Sequence, residues 1–504
     1  RAIEGRHDYV DAIVALGAAY VQCGKDEDAA DQFQLALAFD AGCAQAHMGA
    51  GRLLRKRGLH EEAVEHIRRA AGSEAGSAEA WFELGLTLKR PEHEAEAEAA
   101  YRRALELDPG HAGAAVNLGL ILLVERADPV AAEALFRRAV ASDPALPATK
   151  VNLGLALHEQ GRLTEAVEFF DRAIVEHPES ADLRWHRAIA RLLRGDYGDA
   201  WEDHEARRRV RDGRFERGFP YPEWRGEPLA GRNILIHAEQ GLGDEIMFAS
   251  CISDLIEQGA RCVIECDPRL AAIYARSFPQ AVVHGARRDE DRNWLAQEPA
   301  IEVQVAVGTL PRYLRKSRSD FPRRDAYLTA DAERAAAWRE RLAAQGGKLK
   351  VGISWLGGTA KTRSGMRSIP LEQWLPVLRL KNVQFVSLQH GMEASPRIEP
   401  GPDVVVHQFP DASTSLDETA ALTTALDLVV TVDNTVAHLA GALGRPVYVL
   451  LPASPDWRWL WEGEAVPWYP SARAYRQGRG EGWAPVVASV AAEIARHAAR
   501  VSTG

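Results

Sequence analysis

Residues 1–212 carry apolar and small positions at a helical spacing that recurs as a block. Leu16-Gly17, Gly51, Leu84-Gly85, Leu118-Gly119 and Leu153-Gly154 return every 34 residues, the last after 35. Twelve residues beyond the glycine stands an alanine, at Ala29, Ala63, Ala97, Ala132 (one later) and Ala166. A bulky residue follows at Phe33, Ile67, Tyr101, Phe136 and Phe170, then a small one at Ala36, Ala70, Ala104, Ala139 and Ala173. Pro109, Pro144 and Pro178 close three of the blocks. Small residues let two antiparallel helices approach, the bulky one fills the gap, and proline ends the second helix. The pattern predicts five helix–turn–helix units from about Val10, and a degraded sixth near Ala188, Ala200 and Trp201 that caps the stack.

The period breaks after about Arg211. Residues 213–230 hold Phe219, Pro220, Tyr221, Pro222, Trp224 and Pro228, which reads as an ordered connector because its aromatics must be buried on something. From there the chain alternates short β-branched runs with helical stretches. Strands are expected at 234–236, 262–265, 281–283, 303–305 and 327–328, followed by a polar helix over 332–344. A second set runs through 350–355, 383–388, 404–406, 428–432 and 447–451. Alternation of this kind implies parallel sheets covered on both faces. The two sets predict two Rossmann-like lobes, 231–345 and 346–504, with ligand bound in the cleft between them.

The totals narrow the picture. At 504 residues the chain is too long for one core. A net charge of −10 argues against a nucleic-acid binder. The arginine runs 207–209 and 287–288 then read as solvated faces or phosphate contacts. Five scattered cysteines form no disulfide framework or paired zinc spacing, and no apolar run reaches bilayer length or resembles a signal peptide. A cytoplasmic protein is the expectation, with Cys262 and Cys266 in the core.

Three turns carry candidate chemistry. The first is Asp433-Asn434-Thr435 between an apolar strand and a helix-forming stretch that begins with Ala437 and His438. A turn of this type aims backbone N–H groups and a helix dipole at one spot, which suits a phosphate. The second is Gly241-Leu242-Gly243-Asp244 after the first strand, where the glycines permit close approach of a ligand and Asp244 stands at a helix start. Ile246 occupies the third position of a G-x-G-x-x-G pattern, which disfavours a nicotinamide site, and an aspartate at a helix start also serves simply as an N-cap. The third is the loop after Ser354, with Gly357, Gly358, Lys361, Arg363 and Arg367. It lacks P-loop spacing; its cations would neutralise a diphosphate or be solvated. The triplets 26–28 and 289–291 have the Asp-x-Asp form of a metal clamp but read as surface charge, so no metal is expected. Trp355, Gln389 and Trp457 are candidates to line a base or sugar pocket, or to be core.

The 34-residue blocks resemble tetratricopeptide repeats, which form a solenoid that docks a protein or peptide, or holds a partner domain or second subunit. The 241–244 turn, the Lys361 loop and the 433–440 block with Leu443-Gly444-Arg445-Pro446 resemble the heptosyltransferase-type glycosyltransferases of the GT-B fold. The whole chain is similar to bacterial tetratricopeptide proteins carrying such a domain, whose C-terminal block matches residues 452–460 and 468–471. The resemblance implies an α-solenoid followed by a GT-B pair: repeats over 1–212, connector 213–230, acceptor-side lobe 231–345 and nucleotide-sugar-side lobe 346–504. It makes Asp244 the base that activates an acceptor hydroxyl. It has Lys361, Asp433 and His438 hold the diphosphate of a nucleotide sugar; together with the residue reading, which adds Gly241, Gly243, Ser354, Arg363, Gln389, Asn434 and Thr435, this gives the expected donor site, with no metal or other cofactor. The expected partners are that donor and a protein or peptide in the solenoid groove, with no nucleic acid and no transmembrane segment; homo-oligomerisation stays open. The other reading is a non-catalytic interaction scaffold whose α/β part binds a nucleotide without transfer.

Overall fold

The computed structural model describes residues 6–73, 77–210, 217–286, 292–298, 300–321, 323–345, 349–358, 364–389 and 404–503. It divides into two compact units, Arg1–Leu183 and Arg184–Gly504.

The first unit is a helical solenoid. Among the described residues its helix pairs are Arg6–Gln22 with Asp26–Phe39, Ala44–Lys56 with His60–Gly72, Ala78–Thr87 with Glu94–Leu107, Ala112–Val124 with Pro129–Ser142, and Pro147–Glu159 with Leu163–Glu176. The repeating glycine and the repeating bulky residue meet in every pair. A methyl built on Gly17, Gly51, Gly85, Gly119 or Gly154 would fall 2.1–2.7 Å from Phe33, Ile67, Tyr101, Phe136 or Phe170 respectively. The five bulky side chains are buried, and Ala29, Ala63, Ala97, Ala132 and Ala166 are fully buried or nearly so. The periodicity is thus a packing rule: one close approach per unit, filled by one large side chain.

The second unit opens with most of a sixth helix pair, Ala181–Arg194 and Tyr197–His204, in which Asp203 accepts hydrogen bonds from Arg187 Nε (2.6 Å) and Nη2 (2.8 Å). The connector lies along the first sheet: Trp224 N donates to Gln304 O (2.8 Å) and Gln304 N to Pro222 O (2.9 Å), with Phe219 and Trp224 buried. That sheet contains β1 (Asn233–His237), β2 (Arg261–Cys266), β3 (Val282–Gly285) and β4 (Val303–Ala306), all parallel, in the order β3-β2-β1-β4.

The second sheet contains β5 (Leu349–Ser354), β6 (Val383–Ser387), β7 (Val406–His407), β8 (Leu428–Val432), β9 (Val447–Leu451), β10 (Ala465–Val466) and β11 (Tyr469–Arg476). Its order is β10-β11-β9-β8-β5-β6-β7, parallel except for the β10–β11 pair. From β7 through β5 to β11 this is the doubly wound order 3-2-1-4-5-6, and the first sheet begins the same way, 3-2-1-4. In such sheets the connections leave in opposite directions from the first and fourth strands, opening a crevice at their carboxyl ends. Those ends are β1/β4 in one sheet and β5/β8 in the other. Alternate residues Val351, Ile353, Leu428, Val430 and Val432 share one core with Val487, Val490 and Ile494 of the C-terminal helix Ala484–Thr503.

Two strand expectations need correction. Residues 327–328 form no strand: the N–H groups of Tyr327 and Leu328 both donate to Ala442 O (3.0 Å each), so the segment straps onto a helix end instead of joining a sheet. Residues 469–476, for which no strand was expected, form β11. Cys262 and Cys266 are buried, as their apolar surroundings implied.

Candidate functional site

β5 and β8 run parallel with Ser354 opposite Thr431, which brings their carboxyl-terminal turns together. Asn434 then ties three chain segments. Its Oδ1 accepts from Val436 N (3.0 Å), Ala437 N (3.3 Å) and Thr431 Oγ1 (3.0 Å), capping the helix Thr435–Ala442. Its Nδ2 donates to Ser354 Oγ (2.8 Å) and Leu356 O (3.0 Å). Ser354 Oγ donates in turn to Gln389 Oε1 (3.1 Å), which also accepts from Trp355 N (3.2 Å) and Leu356 N (3.0 Å). Ser354, Gln389 and Asn434 are therefore brought into one network and bond mainly to each other and to the backbone. The helix-start amides of Val436 and Ala437, expected to face a phosphate, are capped by the chain's own Asn434. Thr435 is half-buried at the first helical position.

Asp433 is buried beside Arg367, whose Nη2 lies 3.0 Å from Asp433 Oδ2 and donates to Asp433 O (2.8 Å). Burial pushes the Asp433 carboxyl up, against the pull of Arg367. Gly357 passes over this turn, where a methyl would come within 2.7 Å of Asp433 O; only glycine fits such an approach. Lys361 and Arg363, like the 289–291 triplet, lie outside the described residues.

His438 is buried in the first turns of the same helix, with Nδ1 2.8 Å from Tyr469 Oη and its ring stacked on Trp459 at 5.0 Å between centroids. Burial, then the nearby Arg458, lowers its pKa to about 3, so the imidazole is neutral near pH 7. It packs against the other sheet's turn: a methyl on Gly243 would fall 2.9 Å from His438 Cδ2. The helix Leu242–Phe248 thus rests on Thr435–Ala442 through a glycine and a neutral histidine.

At the start of Leu242–Phe248, Asp244 Oδ2 accepts from the N–H of exposed Gly241 (3.3 Å). Asp244 Oδ1 accepts from Arg458 Nε (2.7 Å) and Nη2. Arg458 also donates through Nη1 to Asp456 and stacks over Trp457 at 4.6 Å. Burial works against the guanidinium's charge, but Asp244 and Asp456 hold it protonated more firmly than usual. The short turn that carries it, Trp457–Trp459, ends at Leu460 with φ 60° and ψ 166°, a conformation other residues than glycine rarely adopt. Sequence reasoning gave Arg458 no role, because a lone arginine among tryptophans has no diagnostic spacing. Trp355 and Trp457 are buried, the latter packed on Trp201, His204 and Phe248.

In the 207–209 run Arg209 is exposed as expected, but Arg207 is not. Arg207 is buried, donating to both Glu239 oxygens (2.8–3.0 Å), to Thr309 Oγ1 (2.9 Å) and to Glu205 Oε1 (2.6 Å). It is neither a solvated face nor open to phosphate; it anchors the loop after β1, two residues before Gly241. Among the described residues no group of three or more His, Cys, Asp or Glu side chains is disposed to hold a metal ion. Nor is any helix long and apolar enough to cross a membrane.

Family models match at both ends of the chain. Tetratricopeptide repeats match residues 14–78 and 123–192, and the middle tetratricopeptide-like domain of cilia and flagella-associated protein 70 matches 55–150. Glycosyltransferase family 9 (heptosyltransferase) matches residues 411–481, the span from the two helices before β8 to just past β11. The chain contains tetratricopeptide repeats and, in its α/β unit, a heptosyltransferase-like segment. It is similar to Protein FlbA of Caulobacter vibrioides, at 34% identity over 337 residues. That match covers 63% of this chain and 56% of FlbA, so the chain spans little more than half of that relative's length. Among solved structures it is similar to YrrB, a TPR protein with an unusual peptide-binding site (22% identity, 34% of this chain and 88% of that one, TM-score 0.30). It is also similar to pilF of Pseudomonas aeruginosa (22% identity, 42% and 95%, TM-score 0.37).

Proposed function

We propose that the second unit is a metal-independent GT-B glycosyltransferase of a bacterial cytoplasmic protein, moving a sugar from a nucleotide-diphosphate donor to an acceptor hydroxyl. The observation that carries this reading is the meeting of the 241–244 turn with residues of the heptosyltransferase-like segment, His438 and Arg458, where two doubly wound sheets present their switch points. The acceptor oxygen bonds to the anomeric carbon while its proton passes to the Asp244 carboxylate. The bond from that carbon to the diphosphate oxygen breaks, and the nucleoside diphosphate leaves with the electron pair. General-base help of this kind is worth about 10²–10⁴-fold. Arg367, with Lys361, matched by resemblance, and Arg363, a further cation of the same loop, offsets the charge on the leaving diphosphate. The Asp433–Thr435 turn shapes that subsite. Exposed Gly241 leaves the acceptor turn open to close approach, Gly243 lets that turn rest on His438, and Ser354, Gln389 and Asn434 fix the walls of the donor side. The repeats recruit the acceptor, a protein or a glycan-bearing partner.

A second reading, a nucleotide-binding scaffold without transfer, draws on the engagement of both Asp244 oxygens by Gly241 and Arg458. Incubating the full chain with a panel of UDP-, GDP- and ADP-sugars, with and without a lysate fraction as acceptor, separates the two. The enzyme releases nucleoside diphosphate from one donor class, and Asp244→Asn stops the release. Release at the buffer rate from every donor leaves the scaffold.

A further inference from the structure

Arg458 is placed where a static role explains it poorly. It comes from the heptosyltransferase-like segment, yet two of its donors converge on one oxygen of Asp244 in the other sheet's turn and a third on Asp456. The Gly241 N–H lies on the other oxygen at 3.3 Å, so three donors converge on the Asp244 carboxylate. The pair is largely shielded, with side-chain exposures of 16% for Arg458 and 12% for Asp244. The guanidinium covers Oδ1, so an incoming hydroxyl reaches that oxygen only when Arg458 moves aside. Removing that cation to nothing would leave charges buried and unmatched, so the cation needs another anion to go to. Asp433, on the turn proposed to shape the diphosphate subsite, also acts electrostatically on Arg458. A guanidinium matches a phosphate as well as it matches a carboxylate, by paired N–H donation. The turn bearing Arg458 ends in the left-handed Leu460, a strained conformation of the sort found where chain segments have more than one arrangement.

We propose that Arg458 is a positioning residue that exchanges Asp244 for the diphosphate of the donor, so that donor binding itself uncovers the base. The exchange rests on the glycosyltransferase reading above. It makes the reaction ordered, donor before acceptor. Without donor, Asp244 is held as the partner of Arg458, which suppresses proton abstraction from a bound hydroxyl.

A double-mutant cycle on diphosphate affinity tests the exchange. The full chain is titrated calorimetrically with UDP, GDP and ADP in EDTA, as wild type, Asp244→Asn, Arg458→Gln, Arg458→Lys and the Asp244→Asn/Arg458→Gln double variant. Asparagine holds Arg458 less firmly, so Asp244→Asn should tighten the preferred diphosphate about tenfold. Arg458→Gln should weaken it about tenfold or more, and Arg458→Lys less. In the double variant the tightening should vanish. Without the exchange, Asp244→Asn leaves the affinity unchanged or weaker, or tightens it equally with and without Arg458, as the loss of one nearby negative charge would. Either result overturns the exchange, the first even if Arg458→Gln fails to fold, because it is read from wild type and Asp244→Asn alone. Absence of binding in both wild type and Asp244→Asn overturns the glycosyltransferase reading, and the exchange with it.

Discussion

Replacing Glu245 by glutamine should stabilise the second unit, by an amount that grows with pH. Glu245 is buried directly after Asp244, and its Oε2 accepts one backbone hydrogen bond, from Asp267 N (2.9 Å). Burial, then the neighbouring Asp267, Asp244 and Glu265 carboxylates, push its pKa from the ordinary 4.5 up to about 8. In the unfolded chain the proton leaves near 4.5; in the folded chain it stays until about 8. Between those values the native state holds the extra proton, so its stability falls as pH rises, by ~1.4 kcal/mol per pH unit. The contribution is fully present below 4.5 and gone above about 8. At pH 7 the wild type has lost on the order of 3 kcal/mol of it. Glutamine stays neutral throughout and keeps an acceptor for the Asp267 N–H. The gap in unfolding free energy between variant and wild type should therefore widen by about 3 kcal/mol between about pH 5.5 and pH 7.5. All thirteen tryptophans except Trp81 lie in the second unit, so urea unfolding followed by tryptophan fluorescence reads that unit. A gap of the same size at both pH values would mean that Glu245 is ionised in the native state, and would refute the reasoning.

Glu239→Ala should destabilise the second unit by about 3 kcal/mol, because it takes the buried bidentate partner from Arg207 and leaves only Glu205, whereas Arg207→Met with Glu239→Leu should come much closer to wild type. Urea midpoints decide it; equal losses in both variants would mean that the loss lies in packing and not in charge. In the repeats, Gly154→Ala puts a methyl 2.1 Å from Phe170 and should cost about 1–3 kcal/mol, read from thermal unfolding of the helices by circular dichroism. Trimming the neighbour in Gly154→Ala/Phe170→Leu should recover part of that loss. A double variant as unstable as the sum of the two singles would contradict the proposed contact.

How much of this was legible beforehand depended on how local the cause was. The repeats were readable because each unit contains its own explanation, a glycine and the large side chain that lies against it. Strands β5, β8 and β9 were readable because central parallel strands are apolar on both faces. β11 was missed because Arg473 and Arg476 interrupt its apolar pattern, and residues 327–328 were overread because an apolar pair looks the same whether its N–H groups meet a strand or Ala442. Asn434 was legible as a cap, but not that it would also reach Ser354 and Leu356, 80 and 78 residues away in sequence. The Arg458–Asp244 pair spans 214 residues and the Arg207–Glu239 pair joins a helix end to a strand end; neither leaves a trace in local spacing.

The proposed function requires the second unit to hold a nucleotide-diphosphate sugar without a metal. It is tested most directly by calorimetric titration of the wild-type full chain with UDP, GDP and ADP, in EDTA and again with magnesium. Saturable one-to-one binding of at least one diphosphate, with the same dissociation constant in both buffers, is the predicted result. Heat of dilution alone for all three in both buffers, or binding only when magnesium is present, would contradict it.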